Sequence, residues 1–193
     1  MMTVTALVAS VAGCSGATAP AGEPRAAPAH AAERPPQAGG ARTSLFAERW
    51  AFKDETGRDV SFATWRGTTL VVAAIYTSCS TVCPRTVAKL RKVEQAFRRD
   101  AQPVQFLLVT LDPTADTPAR LRDYKESEKL PESWHLLAGS TRTTEALTDL
   151  LDIHLIDMGS HIFHESNVAV FDANGMPLHT FRGTDFDDAA AVR

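Results

Sequence analysis

Two continuous apolar runs, Thr69 to Tyr76 and Val104 to Leu111, stand out from a chain of otherwise mixed polarity. Both are short, and both predict strands covered on their two faces. Between them, Pro84 to Arg99 carries Val87, Leu90, Val93 and Phe97 at helical spacing. That stripe predicts an amphipathic helix with one buried face. Thr117-Pro118 opens a second helix, with proline suited to the first turn. His135 to Ala138 reads as a short strand. Thr141 to Leu151 reads as a third helix, with Glu145 placed for a capping box. Phe52 to Val60 predicts a hairpin turning at Glu55 to Gly57. Asn167 to Phe171 and Pro177 to Phe181 predict another across Asp172 to Gly175. Asp187 to Val192 is helix-like, and the chain stops at Arg193, so the last helix is expected to be short or truncated. Strands alternating with helices imply a parallel-rich sheet, and the closing hairpin adds antiparallel strands. The expected class is therefore an α/β sandwich, a mixed central sheet with helices on both faces. No internal repeat is present.

The N-terminus follows another pattern. Residues 1–13, almost all small or apolar and without charge, read as the core of a signal peptide. The run ends in Val11-Ala12-Gly13-Cys14, and small residues directly before a Cys resemble the lipobox of bacterial lipoproteins. The resemblance implies cleavage before Cys14 and lipidation of its sulfur. No Lys or Arg precedes the run, a departure that a start Met farther upstream would account for. Residues 14–43, rich in Ala, Pro and Gly, cannot build a core and are expected to form a disordered tether. Residues 44–193 are expected to be the domain proper. The 193 residues suit one domain plus a tail, and 44% hydrophobic with 22% charged residues is globular in type. A net charge of −3 gives no electrostatic case for nucleic acid. No apolar run reaches the roughly 18 residues of a membrane span. Attachment to a membrane is thus expected through the lipid alone, on the periplasmic or extracytoplasmic side of the cell envelope.

Cysteine usage sharpens the picture. The chain has three Cys, and lipidation of Cys14 leaves Cys79 and Cys83 as an isolated pair. They lie in Thr77-Ser78-Cys79-Ser80-Thr81-Val82-Cys83-Pro84, between a predicted buried strand and a helix. Strand-end loops of open α/β sheets favour functional residues. Positions i and i+4 of a helix sit roughly 6 Å apart at Cα, close enough for a disulfide or for one shared ion. A helix N-terminus also favours thiolate. Thiolates are soft ligands and select Cu(I) or Zn(II). Zinc structural sites usually take four ligands from two pairs, and no second Cys pair exists here. Two thiolates and one imidazole fit trigonal copper better. The bland reading is a disulfide closing a very small loop, with modest entropic gain. His164, just before a strand, is the favoured imidazole. His161 is its neighbour and competitor, and on spacing alone a single His is more often structural. Met158 is a soft ligand in the same loop. Asp112 and Asp116 read mainly as caps of a strand-to-helix connection, with a supporting role at the metal as the alternative. Arg85 beside Cys83 reads as solvated. Trp50, Trp65 and Trp134 read as packing.

Cys79-x-x-x-Cys83-Pro84 after an apolar strand, then Leu111-Asp112-Pro113-Thr114-x-Asp116-Thr117-Pro118, then His164 eleven residues before Gly175, resembles the SCO/SenC family of copper chaperones over roughly residues 45–185. The resemblance implies a thioredoxin-like fold and copper held by Cys79, Cys83 and His164. It also implies assistance to copper-site assembly in cytochrome c oxidase, so a copper-receiving oxidase subunit and a thiol-disulfide reductant are the expected partners. Cys79-Ser80-Thr81-Val82-Cys83 stands where the family often has Cys-Pro-Asp-x-Cys. Ala74-Ile75-Tyr76-Thr77 replaces its aromatic-Gly segment, and the stretch from Ile153 to His164 is short. The main rival is a thiol-disulfide oxidoreductase that uses Cys79 or Cys83 as attacking thiolate and carries no metal. A peroxidase lacks its Thr-x-x-Cys pattern here. A redox or copper sensor would need a partner that binds one redox state only.

Overall fold

The structure is a computed structural model. It describes residues 44–157, 162–164 and 166–192, with backbone only for 155–157 and 162–164. Cys14, the signal-like run and the tether lie outside the described residues, as do Met158 and His161.

The two apolar runs form β3 (Thr69–Ile75) and β4 (Val104–Thr110), which pair in parallel with Val71 opposite Phe106. β5 (Trp134–Gly139) continues the parallel ladder beyond β4. On that side β1 (Phe52–Asp54) adds antiparallel and β2 (Asp59–Val60) closes the edge. Beyond β3 come the antiparallel strands β8 (Asn167–Phe171) and β9 (Pro177–Arg182). The seven-stranded sheet runs β2-β1-β5-β4-β3-β8-β9.

Alternation along the strands divides the core in two. Val71, Ala73 and Ile75 of β3 face α1 (Val82–Arg99) and α2 (Pro118–Ser127), packing with Val87, Leu90, Val93, Phe97 and Leu121. Leu70, Val72 and Ala74 face the other way, against α3 (Thr141–Leu150) through Leu147 and against Trp50, Phe52 and Phe62. Each buried Leu, Val or Phe contributes roughly 1.5–3 kcal/mol, so β3 and β4 fix the sheet from both sides. Trp134 is fully buried and stacks on Phe106; Trp50 is buried, and Trp65 is half-buried beside His135. In the β8–β9 turn Gly175 has φ +75°, and a Cβ there would meet the Phe46 ring at 2.7 Å. Only glycine satisfies both conditions.

Several expectations need correction. α1 starts at Val82, so Cys83 and Pro84 both belong to its first turn, where proline removes no helical hydrogen bond. Glu145 does not cap α3. Ser140 is the N-cap and accepts from the Thr143 N–H at 3.2 Å, because Glu145 falls well past the first turn. The stretch before β8 is not all loop. It holds β6 (Leu155–Asp157) and β7 (Ile162–His164), an antiparallel pair forming a sheet of its own. His164 thus ends a strand. The last helix is a 3-10 turn, Asp188–Ala191, capped by Asp187.

Candidate functional site

The site grows from the C-terminal end of β3. The Leu111 N–H donates to the Ile75 carbonyl at 2.7 Å, and the Cys79 N–H donates to Tyr76 at 3.1 Å, so the chain turns directly into the Cys segment. Asp116, 1% exposed, holds that turn from the β4–α2 connection. Its Oδ2 accepts from the Thr77 N–H at 3.0 Å and from Thr110 Oγ1 at 2.5 Å. Its Oδ1 accepts from Thr77 Oγ1 at 2.5 Å. Arg120 Nε donates to Thr77 Oγ1 at 2.8 Å and lies 3.8 Å from Asp116. Asp112 does what its position suggests: its Oδ1 accepts from the Ala115 N–H at 3.1 Å and shapes the connection. Asp116 does more, since it fixes a residue two places before Cys79.

The structure brings Cys79 and Cys83 together as free thiols. The Cys83 N–H donates to Cys79 Sγ at 3.3 Å. This is the geometry of a helix N-terminus, whose unpaired N–H groups favour an anionic sulfur. The two sulfurs differ in kind. For Cys79, burial opposes ionisation, but hydrogen bonds from the backbone of Cys83 and Thr81 and from the Cys83 and Tyr76 side chains outweigh it, holding the thiol below its ordinary value. For Cys83, wholly buried, burial dominates and pushes the thiol up, helped by the charges of Cys79 and Asp116. Cys79 is therefore the more acidic thiol of the pair and Cys83 the one that holds its proton more firmly.

Two tyrosines surround the sulfurs. Burial, then contact with Cys79, pushes Tyr76 up to about 12. Burial together with the nearby Cys83 charge also raises Tyr124, whose buried hydroxyl has no hydrogen-bond partner among the described residues. Arg85 is exposed, as expected of a solvated side chain.

His164 closes β7 opposite Leu155. Two residues further on, Ser166 Oγ meets Thr86 Oγ1 of α1 at 2.6 Å, a turn beyond Cys83. The chain two residues past His164 thus meets α1 about one turn beyond Cys83. Among the described residues no group of three Cys, His, Asp or Glu side chains is gathered for a metal, and the His164 ring is not among the side chains described. Thr77, Thr86, Arg120 and Ser166 gave no signal in the sequence. Their partners stand 80 positions apart for Thr86 with Ser166 and 39 for Thr77 with Asp116.

Comparison with known proteins places the chain. The SCO1/SenC family model matches residues 38–193, and the chain belongs to that family. Its fold resembles that of Arabidopsis thaliana ScoI with copper bound, at TM-score 0.66 and 15% identity over 74% of this chain and 91% of that one. A SCO1/SenC family lipoprotein from Bacillus anthracis aligns at TM-score 0.66 and 21% identity over 75% and 89%. BsSco, a member of the Sco family of cytochrome c oxidase assembly proteins with an identified disulfide switch, aligns at TM-score 0.62 and 22% identity over 72% and 83%. These likenesses establish the thioredoxin-like α/β fold expected above.

Proposed function

We propose that the chain is an exported, lipid-tethered copper-binding protein that delivers copper to a respiratory oxidase copper site or prepares the thiols of that site. Cys79, Cys83 and His164 are the ligands, and Cys14 carries the lipid. One observation carries this reading: two free, hydrogen-bonded thiols at the β3–α1 junction, one disposed to ionise and the other to keep its proton. Family membership supports it, as does the copper held by the Arabidopsis relative. The anchor rests on Val11-Ala12-Gly13-Cys14 and on the Bacillus anthracis relative being a lipoprotein.

Copper is the cargo. Cys79 gives up its proton more readily than Cys83, and each must lose it as the metal enters, so loading is coupled to pH. His164 supplies the imidazole. Three ligands leave the ion open to replacement one bond at a time by a receiving protein. A partner disulfide that accepts two electrons from the pair, becoming two thiols while Cys79–Cys83 forms, would withdraw both thiolates and so release the ion.

A second reading is favoured by the inequality of the two sulfurs. Cys79 attacks a partner disulfide and forms a mixed disulfide, releasing one partner thiolate. Cys83 then attacks Cys79 Sγ, releasing the second. The product is a Cys79–Cys83 disulfide and a reduced partner, with two electrons passed on and the proton of Cys83 taken up by the leaving thiolates. A thiol-disulfide reductant must then restore the pair.

Anaerobic copper loading, followed by absorption and electron paramagnetic resonance spectra, tests the first reading. Sulfur-to-Cu(II) charge-transfer bands are expected, absent in the Cys79→Ser/Cys83→Ser variant and altered in His164→Ala. Equal copper uptake by wild type and the double variant would sink it. Cys14→Ala should release the protein from the membrane fraction.

A further inference from the structure

The sulfur pair lies at the β3–α1 junction of the seven-stranded sheet and His164 ends a strand of the two-stranded sheet, and a buried hydrogen bond joins their segments. Thr86 stands three residues after Cys83 on α1, and Ser166 two residues after His164. They are 1% and 7% exposed, with their hydroxyl oxygens 2.6 Å apart. Thr86 gives its proton to the Val82 carbonyl at 3.1 Å, so Ser166 is the donor between them. On the other side, Asn167 Nδ2 donates to the Leu151 and Asp152 carbonyls at 2.9 and 2.8 Å, fixing the start of β8 to the end of α3. Extended chain spans about 3.5 Å per residue, so the His164 Cα lies within roughly 7 Å of the Ser166 Cα. Asn167 alone would hold that strand end to α3, on the face away from the sulfurs. Ser166 ties it to the helix that carries Cys83.

Resting on His164 as the third copper ligand, we propose that Thr86 and Ser166 are positioning residues whose hydrogen bond holds the His164 strand end to the first turns of α1 and so sets copper affinity. Neither touches the ion. Each acts through the backbone of the segment it anchors. Partners that orient a metal ligand typically change affinity by 10–100-fold when removed.

The experiment uses the full chain and Cu(II) alone, with affinity read by chelator competition, the spin spectrum of the bound ion, and the urea midpoint of the copper-free protein. Thr86→Val leaves the buried Ser166 hydroxyl without an acceptor, so both the midpoint and copper affinity should fall, the latter roughly tenfold. Thr86→Val/Ser166→Ala removes both partners, and its midpoint should return close to wild type. Its affinity should stay roughly tenfold weaker with an altered spin spectrum. Thr86→Ser keeps the hydroxyl and should restore affinity and spectrum. A double variant that regains wild-type affinity along with its midpoint would overturn the proposal, since the bond would then serve the fold alone. His164→Ala is the control. If it leaves affinity and spectrum unchanged, the ligand assignment itself fails. If it weakens copper while the double variant does not, only the positioning role fails.

Discussion

The two parts of the site are held in different ways. The Cys segment leaves β3, a strand buried on both faces inside a seven-stranded sheet, and is tied down again by Asp116 from the neighbouring connection. The His164 segment is a three-residue strand paired only with β6, outside that sheet. Position is thus given to the sulfurs by the core, whereas the backbone that bears His164, the proposed third ligand, hangs on a short pairing outside it. The lesson is that stability and ligand placement can be probed separately, the first through the Asp116 bonds and the second through copper binding.

Breaking the first half should have the largest effect. Asp116→Ala removes the acceptor for the Thr77 N–H and for two threonine hydroxyls. Leaving such groups unpaired should lower stability by about 3 kcal/mol, read by urea denaturation. Asp116→Asn, which keeps one acceptor oxygen, should lose less. The second half should answer in copper binding. His164→Ala is expected to lower copper affinity by at least roughly tenfold, read by chelator competition. Unchanged stability in Asp116→Ala, or unchanged copper affinity in His164→Ala, would erase the contrast.

Smaller effects sharpen it from within the Cys segment. Cys79 should be alkylated by iodoacetamide with a pH midpoint below that of an ordinary thiol, and at least roughly tenfold faster at neutral pH than Cys83. The sign follows from the opposed shifts: the depressed thiol is thiolate over more of the pH range, and the raised one is protonated over it. Mass spectrometry of single-Cys variants checks it. Smallest of all, Arg120→Ala removes a cation 52% exposed and should lower stability by only about 0.5 kcal/mol.

How much was legible follows the same division. β3, β4 and α1 are written in local pattern: continuous apolar runs for strands buried on both faces, and a stripe at helical spacing for the helix between them. Cys79 and Cys83 are legible for a related reason, since four residues across a helix start leave two sulfurs little choice but to meet. β6 and β7 were not legible, because three-residue strands offer too few positions for an alternation to register. The cap of α3 was misread because Ser140 lies outside the window that made Glu145 attractive. Asp116 looked like a turn former, and its bonds to Thr77 cross between elements that only the folded sheet makes neighbours. Thr86 and Ser166 are ordinary residues in sequence, and only the meeting of α1 with the β7–β8 junction gives them a task.

The unequal exposure of the sulfurs gives the site a direction. Cys79 is 8% exposed and Cys83 not at all, whereas Ser78, Ser80, Thr81, Pro84 and Arg85 lie open around them. On the copper-delivery reading, a receiving protein that approaches over that rim would meet Cys79 first. Exchange of an ion held by the two sulfurs would then be ordered, the outer sulfur letting go early and the inner one, backed by the core, last. In that reading a recipient would need a donor atom on a protruding segment, not on a flat face.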